Sequence, residues 1–202
     1  MLTPVPPMPG PGFKDIQVLL ASNSPRRREL LGMIVPEFTI APPREVREVY
    51  PQDLPAEQVP AYLSRLKAAA YADDLEAGQL LITADTVVIL DGEILGKPRD
   101  EDDARRMLAA LSDNTHVVVT GVTISRAGHD PVTFSDATRV TFGPLSPEQI
   151  DYYVTHYRPL DKAGAYGIQE YIGAAGISSI RGCYYNVMGL PLHALVRHLS
   201  AI

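Results

Sequence analysis

The chain has 202 residues, 46% of them hydrophobic, and a formal net charge of −6. That size suits one domain, or one domain with two lobes, around a substantial core. The acidic balance argues against broad attraction to nucleic acid or membrane surfaces. One cysteine, Cys183, excludes an internal disulfide framework, and no apolar run approaches the roughly 18 residues of a membrane span.

Met1 to Gly12 carries Pro4, Pro6, Pro7, Pro9 and Pro11, with neither a basic start nor a long apolar run. Residues 1–15 are therefore expected to be a disordered tail rather than a signal peptide, with 16–202 as a single domain and the cytoplasm as its compartment. Val18 to Ala21 is a short apolar run that reads as a buried strand. Ser24 then caps a helix, Pro25 suits its first position, and Leu30 and Leu31 form its apolar side. Arg26, Arg27 and Arg28 crowd the first turn, repel one another and oppose the helix dipole. A polyanion held there, best a triphosphate, offsets that cost; a solvated basic face is the alternative.

Glu37 to Ala41 suits a strand, and prolines make the next stretch loop-like around Glu45, Arg47 and Glu48. Val59 to Glu76 reads as a helix that carries Lys67 and ends at Gly78. Leu80 to Leu90 is β-rich, with an interruption at Ala84-Asp85-Thr86, and Asp91-Gly92 signals a hairpin into Glu93-Ile94-Leu95. A helix follows from about Asp100 to Leu111, then strands Val117–Ile124 and Thr133–Phe142. Ser146-Pro147-Glu148 opens a helix that ends near Tyr157. Asp161 to Gln169 is a glycine-containing loop, Ile177–Ile180 a short strand, and Pro191 opens a last helix to Leu199. Strands alternating with helices indicate α/β, and the Val117–Phe142 hairpin makes the sheet mixed.

Asp85 is the first candidate for chemistry. A carboxylate inside an apolar strand is costly unless it is satisfied locally or faces a cleft, where it holds a metal or activates water. Thr86, its neighbour, points to the opposite face unless the strand breaks. Lys67 is solvent-facing or catalytic. Gly96 and Pro98 fix a turn that can aim Lys97 into a cleft. In the Asp161–Gln169 loop, two glycines allow close approach of a ligand, and Gln169 offers a donor and an acceptor to a nucleobase edge. The histidines show no metal-ligand spacing, and no P-loop, dinucleotide fingerprint or serine-hydrolase elbow is present.

These stretches, in order, resemble the Maf family of nucleotide pyrophosphatases. The matches are Leu20 to Arg27, Ala84 to Val88, Leu95-Gly96-Lys97-Pro98, Thr120-Gly121-Val122, Asp161 to Gln169, and Met188 to Leu192. The resemblance implies an inosine-triphosphatase-like fold, with a mixed sheet, flanking helices and two lobes around a cleft. It also implies hydrolysis of a nucleoside triphosphate to the monophosphate and pyrophosphate with Mg²⁺ or Mn²⁺. Asp85, Lys67 and Glu48 take the catalytic positions, with Asp85 and Glu48 toward the metal and Asp85 either ligand or base. Arg47 and Leu66 depart from the family pattern beside Glu48 and Lys67. Ser22, Ser24, Arg26, Arg27, Thr86, Lys97, Lys162 and Gln169 take the substrate positions. Tyr166-Gly167-Ile168-Gln169 resembles the subfamily that prefers dTTP and UTP. The partner implied is a small nucleotide, with no nucleic acid or membrane and a homodimer as the analogous assembly. A modified nucleotide such as 7-methyl-GTP, or a non-catalytic sensor in septum formation, is the competing reading.

Overall fold

Strand β3, Gln79–Leu90, runs through a seven-stranded mixed sheet in the computed structural model, which describes residues 16–201. The proline-rich tail, residues 1–15, lies outside the described residues. Strand β1 (Gln17–Ala21) lies parallel to the first half of β3, with the short β2 (Thr39–Ile40) beyond it. Strand β4 (Glu93–Leu95) turns back antiparallel on the end of β3. Strands β5 (Thr115–Arg126), β6 (Val132–Phe142) and β7 (Ile177–Arg181) continue the sheet antiparallel on the other side.

The pairing leaves a gap. Strand β1 pairs with β3 only as far as Thr83, and β4 pairs with it only from Val88. Strand β5 fills the opposite edge from Leu80 to Ile89. Ala84–Val87 therefore keeps one edge without a strand. The interruption expected at Ala84-Asp85-Thr86 is not in the strand itself, which is continuous. It is in the neighbours along one edge, and continuous pairing with β5 keeps these residues extended.

Seven helices cover the sheet among the described residues. Helices α1 (Pro25–Gly32) and α7 (Leu192–Leu199) pack Leu30, Leu31, Leu192 and Leu195 on Val18, Leu20, Leu80 and Ile82. Helices α3 (Glu101–Leu111), α4 (Pro147–Tyr157) and α5 (Tyr171–Gly176) build a second cluster around Val88, Leu90, Val140 and Phe142. Both clusters use the even-numbered face of β3, so the chain has two apolar lobes side by side. Between them stand Thr86 and Thr120, paired across the strands, with Asn186 of α6 (Tyr184–Met188) over them. The cleft lies along this polar seam. Helix α2 (Val59–Ala69) covers the other face, with Val59 and Leu63 against Val87, Ile89 and Val119.

Most elements sit where the sequence places them. Ser24 caps α1 by accepting from the Arg27 amide at 3.4 Å, and Ser146 with Gln149 forms a capping box on α4. Helix α2 is shorter than expected. It ends at Ala69 rather than Glu76, because Arg44 donates to the Ala70 carbonyl and Tyr71 turns away to donate to Pro42 O at 2.8 Å. A short 3₁₀ turn, Ala72–Asp74, follows. Helices α5 and α6 were not expected from the sequence; each spans too few residues for a helical period to show. Among the described residues, no helix is long and apolar enough to cross a membrane.

Helix α2 lies very close to the sheet at Gly121, the cross-strand neighbour of Asp85. A Cβ on Gly121 would lie 2.3 Å from the Ala61 nitrogen, so the helix would have to lift. Gly121→Ala is expected to cost about 1–3 kcal/mol, as overpacking does. It should also pull Lys67 away from Asp85. Chemical denaturation of the variant checks the first effect, and a Gly121→Ala protein as stable as the parent contradicts this packing.

Candidate functional site

Lys67 joins two carboxylates. Its Nζ lies 2.6 Å from Asp85 Oδ1 and 3.1 Å from Glu48 Oε1. Strand β3 supplies Asp85, α2 supplies Lys67, and the loop before α2 brings in Glu48. The Asp85 and Lys67 side chains are only 12% and 18% exposed, while Glu48 is 52% exposed. Lys67 is thus neither a free surface cation nor buried alone. Among the described residues, Asp85 Oδ2 and Glu48 Oε2 make no hydrogen bond to the protein, which leaves one oxygen of each carboxylate available.

Thr86 faces the other way, as an unbroken strand requires. Its hydroxyl accepts from Arg27 Nη2 at 2.9 Å and meets Thr120 Oγ1 at 2.9 Å. Thr120 in turn donates to the Asn186 carbonyl at 3.1 Å. One proton per hydroxyl fixes the direction of this chain, from Arg27 through Thr86 and Thr120 to Asn186 O. The Asn186 amide is held by Val118 O and Thr138 Oγ1 at 3.0 and 2.9 Å. Arg27 Nε also donates to Gly189 O at 2.8 Å, so its guanidinium is fixed on two sides. Burial lowers the Arg27 pKa; Asp85 opposes this, Arg26 adds to it, and Glu48 opposes it. The group stays cationic far above neutral pH. Arg28, by contrast, is exposed and lies outside the cleft.

The open edge of β3 explains how two opposed faces reach one cavity. With no strand beside Ala84–Val87, Asp85 approaches from one side of the sheet and Thr86 with Arg27 from the other. The cavity holds about 760 Å³. Ser22, Ser24, Arg26 and Arg27 line it from the β1–α1 turn, and Glu48, Lys67, Asp85 and Thr86 line its floor. Lys97, Lys162 and Gln169 line the opposite wall. Every residue expected at the site from the sequence therefore borders one space. A second cavity of about 830 Å³, beside α2 and β6, contains none of them.

The opposite wall is tied together by charge. Asp161 accepts from Arg26 Nη1 at 2.9 Å and from Lys162 Nζ at 2.8 Å. Burial alone would raise its carboxyl, but the bonds from Lys162 and Arg26 prevail and hold it down to about 2. Lys162 is buried and also lies 3.2 Å from Glu170 Oε1. The exposed Lys97, in the connection between β4 and α3, is held beside the Asp161–Gln169 loop because Gly96 O accepts from the Gly164 amide at 3.0 Å. Gly164 has φ +67, and a Cβ there would press on Val88 at 3.0 Å, so glycine is required.

Sequence reasoning missed several members of the site. Asp161 was overlooked beside Lys162, and the Gly189 carbonyl carries no side-chain signal at all. Thr120 lies in a stretch noticed without a role. Its place directly across from Thr86 is set by strand register, which also pairs Thr83 with Thr123 on the other face. Among the described residues, no three His, Cys, Asp or Glu side chains converge on a metal position. The two carboxylates on Lys67 nevertheless suit a cation such as Mg²⁺, which takes one or two protein carboxylates and completes its shell with water and substrate oxygens.

Comparison with known proteins places the chain in a family. The family model for Maf-like protein matches residues 17–202. A dTTP/UTP pyrophosphatase of Phocaeicola vulgatus is 49% identical over 190 residues, which cover 94% of this chain and 98% of that protein. A dTTP/UTP pyrophosphatase of Porphyromonas gingivalis strain W83 is 51% identical over 190 residues, covering 93% and 95%. Among solved structures, the Staphylococcus aureus Ham1 protein matches with TM-score 0.48 and 17% identity, over 62% of this chain and 71% of that one. The family match over residues 17–202, with relatives this similar along nearly their whole length, shows that the chain belongs to the Maf family.

Proposed function

We propose that this protein hydrolyses nucleoside triphosphates, with dTTP and UTP preferred, to the nucleoside monophosphate and pyrophosphate. The observation that carries the reading is the Glu48–Lys67–Asp85 arrangement facing Arg27 across the open edge of β3. The relatives named dTTP/UTP pyrophosphatase support the choice of substrate. The cytoplasm is the compartment we assign, consistent with a single unpaired cysteine.

The geometry supports a role for each residue. Arg27 is held in place before the substrate arrives, so it binds phosphate oxygens with little reorganisation. Arg26, Lys97, Lys162 and the N-terminus of α1 complete the cationic wall, with Ser22 and Ser24 as polar contacts at the turn. Lys67 fixes Asp85 Oδ1 and leaves Oδ2 toward the cavity. Asp85 takes the proton of a water placed in line with the α-phosphorus. The new bond joins that water oxygen to the α-phosphorus, the bond to the bridging oxygen breaks, and pyrophosphate leaves with the electron pair. Arg26 and Arg27 neutralise the charge that develops on it. Glu48 would hold a divalent cation, Mg²⁺ or Mn²⁺, which would supply positive charge at the reacting phosphate and lower the pKa of water bound to it, while Asp85 Oδ2 stays free to accept the proton.

Gln169 reads the base in this proposal. Thymine and uracil present a donor flanked by two acceptors, and a side-chain amide pairs with a donor and its adjacent acceptor. Cytosine inverts part of that pattern and leaves about 1–3 kcal/mol of unsatisfied polar cost per group. The kcat/KM for dTTP and UTP should therefore exceed that for CTP by roughly ten-fold or more. Gln169→Ala should shrink the ratio and leave metal dependence intact. A wild-type protein that prefers CTP or a methylated GTP contradicts the pyrimidine assignment.

The catalytic assignment is tested by product analysis with and without a chelator. Pyrophosphate should be the first product, and excess EDTA should abolish its release. Asp85→Asn should lower turnover by at least roughly 100-fold in a folded protein. Orthophosphate as the first product, or near-normal turnover of Asp85→Asn, rules the reading out. Arg27→Ala should weaken nucleotide and pyrophosphate binding far more than Arg28→Ala, as titration calorimetry can measure. Equal losses from both would indicate a diffuse basic face.

A further inference from the structure

Tyr153 is fully buried in α4, yet its hydroxyl reaches the loop that carries Gln169. It donates to Glu170 Oε2 and accepts from the Gly167 amide at 3.0 Å. The Glu170 amide donates to Gly167 O at 3.0 Å and closes the turn. One hydroxyl therefore pins both ends of the turn Gly167–Glu170, and Gln169 lies between the pinned points. The turn is also fixed from below, where Ile168 is buried in the lobe built around α3 and α4. The packing is tight enough to specify its residues. A Cβ on Gly167 would lie 2.7 Å from Glu170 Cδ, so the Glu170 carboxylate folds directly over this glycine. The other carboxylate oxygen, Oε1, lies 3.2 Å from Lys162 Nζ on the cavity wall.

We propose that Tyr153 and Glu170 are positioning residues for base selection, holding the Gly167–Glu170 turn so that Gln169 presents its amide at one angle to the nucleobase. The inference rests on the reading that Gln169 contacts the base. Neither residue borders the cavity, so both act through Gln169 and Lys162. A buried tyrosine needs a partner for its hydroxyl but does not need a carboxylate, since a water or backbone carbonyl would serve. Pairing it with Glu170 and the Gly167 amide places the cost of a partly buried carboxylate at the base-reading turn. That carboxylate has the hydroxyl and Lys162 as compensation. Burial, followed by the bond to Glu170, raises the Tyr153 pKa, so the hydroxyl remains a donor throughout the physiological range.

The test uses the full chain and measures kcat and KM for dTTP, UTP and CTP. Tyr153→Phe removes the hydroxyl alone and should lower the dTTP-to-CTP ratio of kcat/KM about threefold or more. Glu170→Ala should lower it by a similar factor. Glu170→Gln retains the size over Gly167 and an acceptor for Tyr153, so it should keep the ratio within about twofold of the parent. Circular dichroism confirms folding, and Glu170→Ala, at a less buried position, carries the test if Tyr153→Phe does not fold. Folded variants that keep the parent's ratio, or lose activity on all three nucleotides by one common factor, overturn the inference and leave the pyrophosphatase reading standing. A parent protein with no preference among the three nucleotides overturns the Gln169 reading and this inference together.

Discussion

The site depends on a mismatch of strand lengths. Strand β3 is longer than either strand that pairs along its outer edge, and the shortfall falls at Ala84–Val87. A sheet normally separates what lies on its two faces. Here the missing neighbour lets both faces open into one cavity, so a carboxylate and its lysine can approach from one side and a fixed arginine from the other. The same gap receives the end of β1, which delivers Ser22, Ser24 and the α1 N-terminus to the edge of the cleft. Brought there by parallel pairing with β3, this turn supplies backbone amides and arginines together.

The energetics favour function at this seam. Two lobes of ordinary apolar packing hold the chain together, and they meet at a line of hydroxyls, amides and ions. Lys67 between two carboxylates is overcompensated by negative charge, which is an unfavourable arrangement for stability and a favourable one for attracting a cation. Arg27 is partly stripped of water, and its fork is held by Thr86 and Gly189 O. Groups already desolvated and aimed need little rearrangement when charge develops on a leaving pyrophosphate. Gly121 shows how far the backbone is committed to this design, since α2 can bring Lys67 down only over a residue without a side chain.

Much of this was legible in the sequence, and particular residues show why. Ser24-Pro25 announced a helix start after an apolar strand, and of the three arginines that follow, Arg26 and Arg27 border the cleft while Arg28 is a solvated surface charge. Asp85 stood out because a carboxylate in a β-rich run needs a reason. Local chemistry of this kind survives without coordinates. What failed to show was relational. The apparent break at Ala84-Asp85-Thr86 was the chemical signature of a missing neighbour, which no single strand can report. The Asp161 bridge between Arg26 and Lys162 joins residues far apart in the chain, and the Gly189 carbonyl has no side chain to announce it. Helix α2 looked longer than it is because Ala68, Ala69 and Ala70 all favour helix; Arg44, from a distant loop, meets its last turn instead.

In this mechanism the open edge of β3 directs water to the α-phosphorus while the arginine wall holds the departing pyrophosphate. Hydrolysis of dTTP in ¹⁸O-enriched water, followed by mass spectrometry of both products, tests it most directly. Attack at the α-phosphorus places the heavy oxygen in the nucleoside monophosphate and none in pyrophosphate. Heavy oxygen in the pyrophosphate, with unlabelled monophosphate, would mean attack at the β-phosphorus and would contradict the roles given to Asp85 and Arg27.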